Sequence, residues 1–151
     1  MADVSRTWAL ILALQAQLQT ITTANGYLTD VGSNVWTSDA QRTDDNALGL
    51  MIYSDGIEGA GSDRERPFIQ QREMTVLVEA AIGTDLDTAQ AQIHALIEDV
   101  ESCLKAYTAA QQKTPANQQT PMHVTRVSIL DRPEGAAVVA MQALITVRFF
   151  R

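Results

Sequence analysis

Residues 67 to 82, PFIQQREMTVLVEAAI, alternate in polarity along most of their length. Phe68, Met74, Val76, Val78, Ala80 and Ile82 fall on one face, interrupted by Gln70 and Arg72, while Gln71, Glu73, Thr75 and Glu79 fall on the other. Successive side chains of a strand point to opposite faces, so the pattern predicts a long strand in a sheet covered on one side. The polar first half, Gln70 to Glu73, is expected to overhang the core and leave its backbone donors and acceptors open to a partner.

At Gly83 this strand turns straight into a helix. Thr84 and Asp87 have the spacing of a capping box, with Asp in place of the usual Glu or Gln. Asp85 and Asp87 also complement the positive helix end and would repel a phosphate, so the turn reads as capping and not as an anion-binding or catalytic loop. Leu86, Ala89, Ile93, Leu96, Val100, Cys103 with Leu104, and Tyr107 then form one apolar stripe at spacings of 3 and 4.

A second stripe lies near the N-terminus, where Val4, Trp8, Ile11, Leu14, Leu18 and Ile21 follow at spacings of 4, 3, 3, 4 and 3. It predicts a core-packed helix capped by Asp3 or Ser5 and ended at Asn25-Gly26. The run from Trp8 to Leu14 is too short to span a bilayer. The start lacks the basic region and small-residue cleavage site of a signal peptide, so it reads as a soluble helix.

Residues 27 to 46 carry turn chemistry, with a short strand expected near Asn34 to Thr37 and anchored by Trp36. A strand from Ala47 to Ser54 is expected to stop at Asp55-Gly56, giving a mobile, Gly-rich loop over residues 55 to 66. Residues 111 to 121 read as a polar linker, and 122 to 150 as a hairpin turning at 131 to 135. On its last arm Val139, Met141, Ala143, Ile145, Val147 and Phe149 share a face. The order of elements predicts one α+β domain over residues 1 to 151. Its form is a two-layer sandwich, with two amphipathic helices on one face of a mainly antiparallel sheet of four to five strands.

The net charge of −7 disfavours specific duplex-DNA binding, which needs a dense cationic surface, but permits DNA to slide past without sticking. With one cysteine, Cys103, no internal disulfide forms. The two histidines, His94 and His123, have no metal-ligand spacing, and His94 reads as a boundary residue of its helix. Ser54, Ser62 and Ser128 lack a nucleophile elbow. Cys103 lies on the buried stripe and reads as an inert small hydrophobe. Glu98, Asp99 and Glu101 read as the solvated face of their helix. Gly56, Gly59 and Gly61 precede no helix and no Lys-Ser/Thr pair, so a phosphate-binding loop lacks its helix N-terminus. No acid, base and oxyanion site assemble in the sequence, and no catalytic residue, metal site or cofactor is expected.

Taken in order, ANGYLTDVGSNVW, LGLMIYSDG, RPFIQQREMTVLVEAAIG, AQAQIHALIEDVESCL and the terminal ALITVRFFR span residues from about 5 to 150. This succession resembles the tail terminator proteins of long-tailed bacteriophages, also called minor tail or tail completion proteins. The resemblance implies a structural virion protein and not an enzyme: a six-fold ring at the head-proximal end of the tail tube. It implies that the ring stops tube polymerisation and receives the head-completion, or neck, proteins. DNA passes through the centre without specific binding, and no membrane is involved. Assembly is expected in the host cytoplasm.

A ring needs one patch that meets a different patch on the next copy. Candidates for one side are Asp55, Glu58, Arg64 and Arg66 in the loop, with Gln70, Gln71, Arg72 and Glu73 in the overhang. Arg64, Arg66 and Arg72 would seek acidic partners such as Asp44-Asp45, or Asp131 and Glu134 beside Arg132, on a neighbour. A neck protein of the same virion is the alternative, followed by a small-molecule-binding α+β domain. The last would show a concave pocket with convergent polar groups, and the first two an extended subunit interface.

Overall fold

The computed structural model describes residues 5–38, 49–59, 71–83, 86–112, 123–130 and 138–150. In chain order the elements are α1 (Arg6–Leu18), β1 (Val35–Trp36), β2 (Leu50–Gly59), β3 (Gln71–Gly83), α2 (Leu86–Gln112), β4 (His123–Leu130) and β5 (Val138–Phe150). The strands form one open mixed sheet in the order β1-β2-β3-β5-β4. β1 runs parallel to β2, and the other pairs are antiparallel. The fold is the α+β arrangement expected from the sequence.

Both helices cover one face. Met74, Val76, Val78 and Ala80 of β3 are buried there, as the alternation predicted, and so are Met141, Ala143 and Ile145 of β5. They meet Leu10, Ile11, Leu14, Leu18 and Ile21 from the α1 segment and Ile93, Leu96, Val100, Cys103, Leu104 and Tyr107 from α2 in one core. Full burial of such an aliphatic side chain contributes about 1.5–3 kcal/mol, so this core dominates the fold's stability. On the helix-free face, Thr75, Leu77, Glu79, Gln142 and Leu144 are half-buried.

α1 begins as expected, with the Ser5 hydroxyl accepting from the Trp8 amide at 3.3 Å. It stops at Leu18, earlier than the stripe implied. Ile21 continues the stripe from outside the helix and is fully buried. A 3-10 turn at Thr23–Asn25 follows, and Gly26 ends that turn, not α1, with φ of 89° in the left-handed region. Asp3 and Val4 lie outside the described residues.

β1 falls at the expected place, and Trp36 is buried beneath Gly49, whose missing Cβ leaves room for the indole ring. β2 does not stop at Asp55-Gly56. The ladder shifts register between Ser54 and Gly56, so Asp55 is the extra residue of a β-bulge and pairing resumes to Gly59.

The overhang expected at Gln70 to Glu73 is corrected. Gln71, Arg72 and Glu73 pair with Phe150, Phe149 and Arg148 of β5, and Arg72 and Glu73 also pair with Gly59 and Glu58 of β2. From Arg72 to Ala80 β3 has a strand on each side, and Gln71 pairs with β5 alone. Gln70 itself lies outside the described residues, as do the capping residue Thr84 and the hairpin turn at 131 to 135. α2 runs to Gln112 and takes in the first two residues of the expected linker.

Candidate assembly surface

The bulge at Asp55 divides β2 into two unlike halves. Leu50, Met51 and Ile52 are buried, whereas Tyr53, Ser54, Asp55, Gly56 and Ile57 are all exposed. Neighbouring strand residues face opposite sides, so this stretch has left the core on both faces while still paired to β3. The result is an arm of β2 that stays held by its ladder to β3, whose facing residues Val76 and Met74 remain in the core.

The arm carries part of the expected site. Asp55 is exposed at the bulge. Glu58, Glu73 and Arg148 occupy one register row across β2, β3 and β5, and Gly59, Arg72 and Phe149 the next. Gln71 is paired with Phe150 at the start of β3. Arg64, Arg66, Gln70, Asp131, Arg132 and Glu134 lie outside the described residues, as do Asp44 and Asp45.

One acidic residue read as solvated is not. Asp99 is 2% exposed. Its carboxylate accepts from the Leu28 amide at 2.9 Å, the Thr29 amide at 2.8 Å and the Thr29 hydroxyl at 2.7 Å. It therefore fastens the loop after α1 onto α2. Its position, three residues after Leu96 and four before Cys103, put it on the buried stripe and was the signal for this role. Glu98 and Glu101 are exposed, as expected.

Beside it, Gln17 and Cys103 tie the two helices together. The Cys103 thiol donates to the Gln17 carbonyl at 3.1 Å, and the Gln17 amide donates to the Cys103 carbonyl at 3.3 Å. Burial and a hydrogen bond with Cys103 push the Tyr27 phenol above its ordinary value of 10.0, against a smaller lowering by Thr20. Cys103 is fully buried and serves packing, as the sequence suggested.

Several exposed apolar residues were not singled out from the sequence. Trp8, placed on the core stripe by its spacing, is 45% exposed, and Leu12 one turn on is 39% exposed. Gln15 of α1 donates to the Val35 carbonyl at 3.0 Å, on the β1 side, whereas Gln17 faces α2. At 100° per residue Trp8 lies about 20° from Gln15, so the Trp8–Leu12 flank turns away from α2. At the opposite sheet edge, Ile129 of β4 is 42% exposed. It pairs with buried Met141 and so belongs to the helix-covered face.

Among the described residues no group of three or more His, Cys, Asp and Glu is placed to hold a metal ion. Among them, too, no helix is long and apolar enough to cross a membrane. No model of a known protein family matches the chain, and no curated protein matches it.

Proposed function

We propose that the chain is the structural subunit of a ring that caps the head-proximal end of a phage tail tube. It would stop tube growth there and present the surface for head joining. The reading rests on the resemblance of residues 5 to 150 to tail terminators. The structural observation that supports it is the arm: five successive residues, Tyr53 to Ile57, exposed on both faces of a strand that stays paired. A strand half that buries no core contributes little to the monomer, and its extended surface suits contact with another subunit. The net charge of −7 suits a channel wall past which DNA slides.

This reading assigns no residue to catalysis or to a cofactor. Purified protein added to tail tubes lacking their terminator should cap one end of each tube and halt further growth. Binding to completed heads but not to tubes would favour the neck-protein alternative. Binding to neither would remove the virion reading.

A further inference from the structure

Asn25-Gly26 is the only Asn-Gly pair in the chain. Both residues are exposed in the 3-10 turn after α1. An asparagine side chain is most open to attack by the next backbone nitrogen when glycine follows, because no side chain stands in the way. The space at Gly26 is clear, since a Cβ built there would meet nothing within 4 Å. We propose that Asn25 is a modification site, deamidated by attack of the Gly26 nitrogen, and that the turn Thr23–Asn25, clamped by Asp30, sets the rate.

The reaction needs only water. The Gly26 nitrogen gives its proton to solvent and bonds to Asn25 Cγ. The Cγ–Nδ2 bond breaks, and that nitrogen leaves as ammonia. Water then opens the resulting succinimide at either carbonyl, giving aspartate or isoaspartate. Nothing is oxidised or reduced.

The folded turn opposes each part of this step. The Gly26 amide, which must lose its proton, donates to the Thr23 carbonyl at 3.1 Å. The Asn25 side-chain amide, the leaving group, donates to the Thr20 carbonyl at 2.8 Å. Ring closure swings the Gly26 nitrogen round to eclipse the Asn25 Cα–Cβ bond, and the 3-10 backbone at Asn25 keeps the two apart. The turn is fastened at its start by Asp30, whose Oδ1 accepts from the Thr23 amide at 2.7 Å and the Thr23 hydroxyl at 3.0 Å. Asp30 is placed in turn by its neighbour Thr29, which is tied to Asp99 on α2. Deamidation therefore waits on local opening of the turn.

The product does not fit where Asn25 sat. A carboxylate has no N–H for the Thr20 carbonyl and faces it oxygen to oxygen. It also brings charge into a stretch, Thr7 to Thr29, that holds no Asp, Glu, Lys or Arg. Isoaspartate adds a carbon to the main chain just before Tyr27, whose amide donates to the Thr22 carbonyl at 3.2 Å. Modification thus loosens the turn that leads from α1 to the Asp99 contact.

The test incubates the full chain at mildly alkaline pH, with and without guanidinium chloride, and follows the amide-to-acid mass shift of the peptide that holds Asn25. Deamidation should be at least about tenfold faster in guanidinium than in the folded chain. Asp30→Ala should speed it several-fold in buffer with unchanged circular dichroism, and should match wild type in guanidinium. If Asp30→Ala does not fold, Thr23→Val, which removes the hydroxyl bond alone, takes its place. Equal wild-type rates in buffer and guanidinium, or a folded clamp variant that reacts at the wild-type rate, would overturn the control by the turn. No mass shift at Asn25 in guanidinium would overturn the site itself.

Discussion

The Thr29 hydroxyl donates to the Asp99 carboxylate at 2.7 Å across a sequence separation of 70 residues. With the Leu28 and Thr29 amides on the same carboxylate, this bond sets where the chain goes after α1. Asp99→Ala removes the acceptor of two part-buried amide bonds and one hydroxyl bond, and hydrogen bonds to a charged group are the stronger kind. The variant should lose about 2–4 kcal/mol. Thr29→Ala, which removes one bond, should lose about 1–2 kcal/mol. Urea melts would show this as a lower midpoint at unchanged slope.

Gly32 lies against the turn that follows α1, and its amide donates to the Ile21 carbonyl at 2.9 Å. A Cβ there would sit 2.6 Å from the carbonyl oxygens of both Gln19 and Ile21. These are backbone atoms and do not swing aside. Gly32→Ala should destabilise by about 1–3 kcal/mol, the usual cost of overpacking. Gly26→Ala meets no atoms but must adopt a left-handed φ of 89°, so it should cost about 1 kcal/mol. The order of the two thermal midpoints checks both statements.

Tyr27 gives the fold an alkaline limit. Burial, aided by Cys103, holds its phenol neutral above the ordinary value of 10.0. The unfolded chain therefore releases this proton first, the folded chain binds more protons, and stability falls as pH rises. The contribution is complete below pH 10.0 and is lost as pH climbs from there through the folded value. Urea midpoints of wild type and Tyr27→Phe, compared from about pH 9 to about pH 11, should show a shallower decline in the Phe variant.

These features differ in how far the sequence disclosed them. The alternation of Met74, Val76, Val78 and Ala80 and the stripe from Ile93 to Tyr107 were legible because each reports one covered face of one element. The end of α1 was not, because Ile21 keeps the helical spacing and is buried from outside the helix. Trp8 also keeps that spacing, yet periodicity records apolar character and not what covers it. β2 runs past Asp55-Gly56 because a bulge absorbs the turn-like pair. The position of β3 between β2 and β5 depends on which strands meet across the chain, which no local pattern states. Of the expected assembly residues, the structure brings Glu58 and Glu73 into one row and Arg72 into the next.

Arg72 stands at the end of that arm, at the register position of Gly59 and Phe149. On a chain of net charge −7, a cation there favours an acidic neighbour. Arg72→Glu should weaken assembly on the order of tenfold and leave the monomer's circular dichroism unchanged. Unaltered assembly would remove Arg72 from the interface.

The central claim is that this chain works as a ring, and its solution mass tests that most directly. Light scattering after size exclusion, over a concentration series, should reveal a species of six 16.5 kDa chains, about 99 kDa, with rings visible by negative stain. A chain that stays at 16.5 kDa at every concentration, and stays so when purified tail tubes are added, would contradict the account.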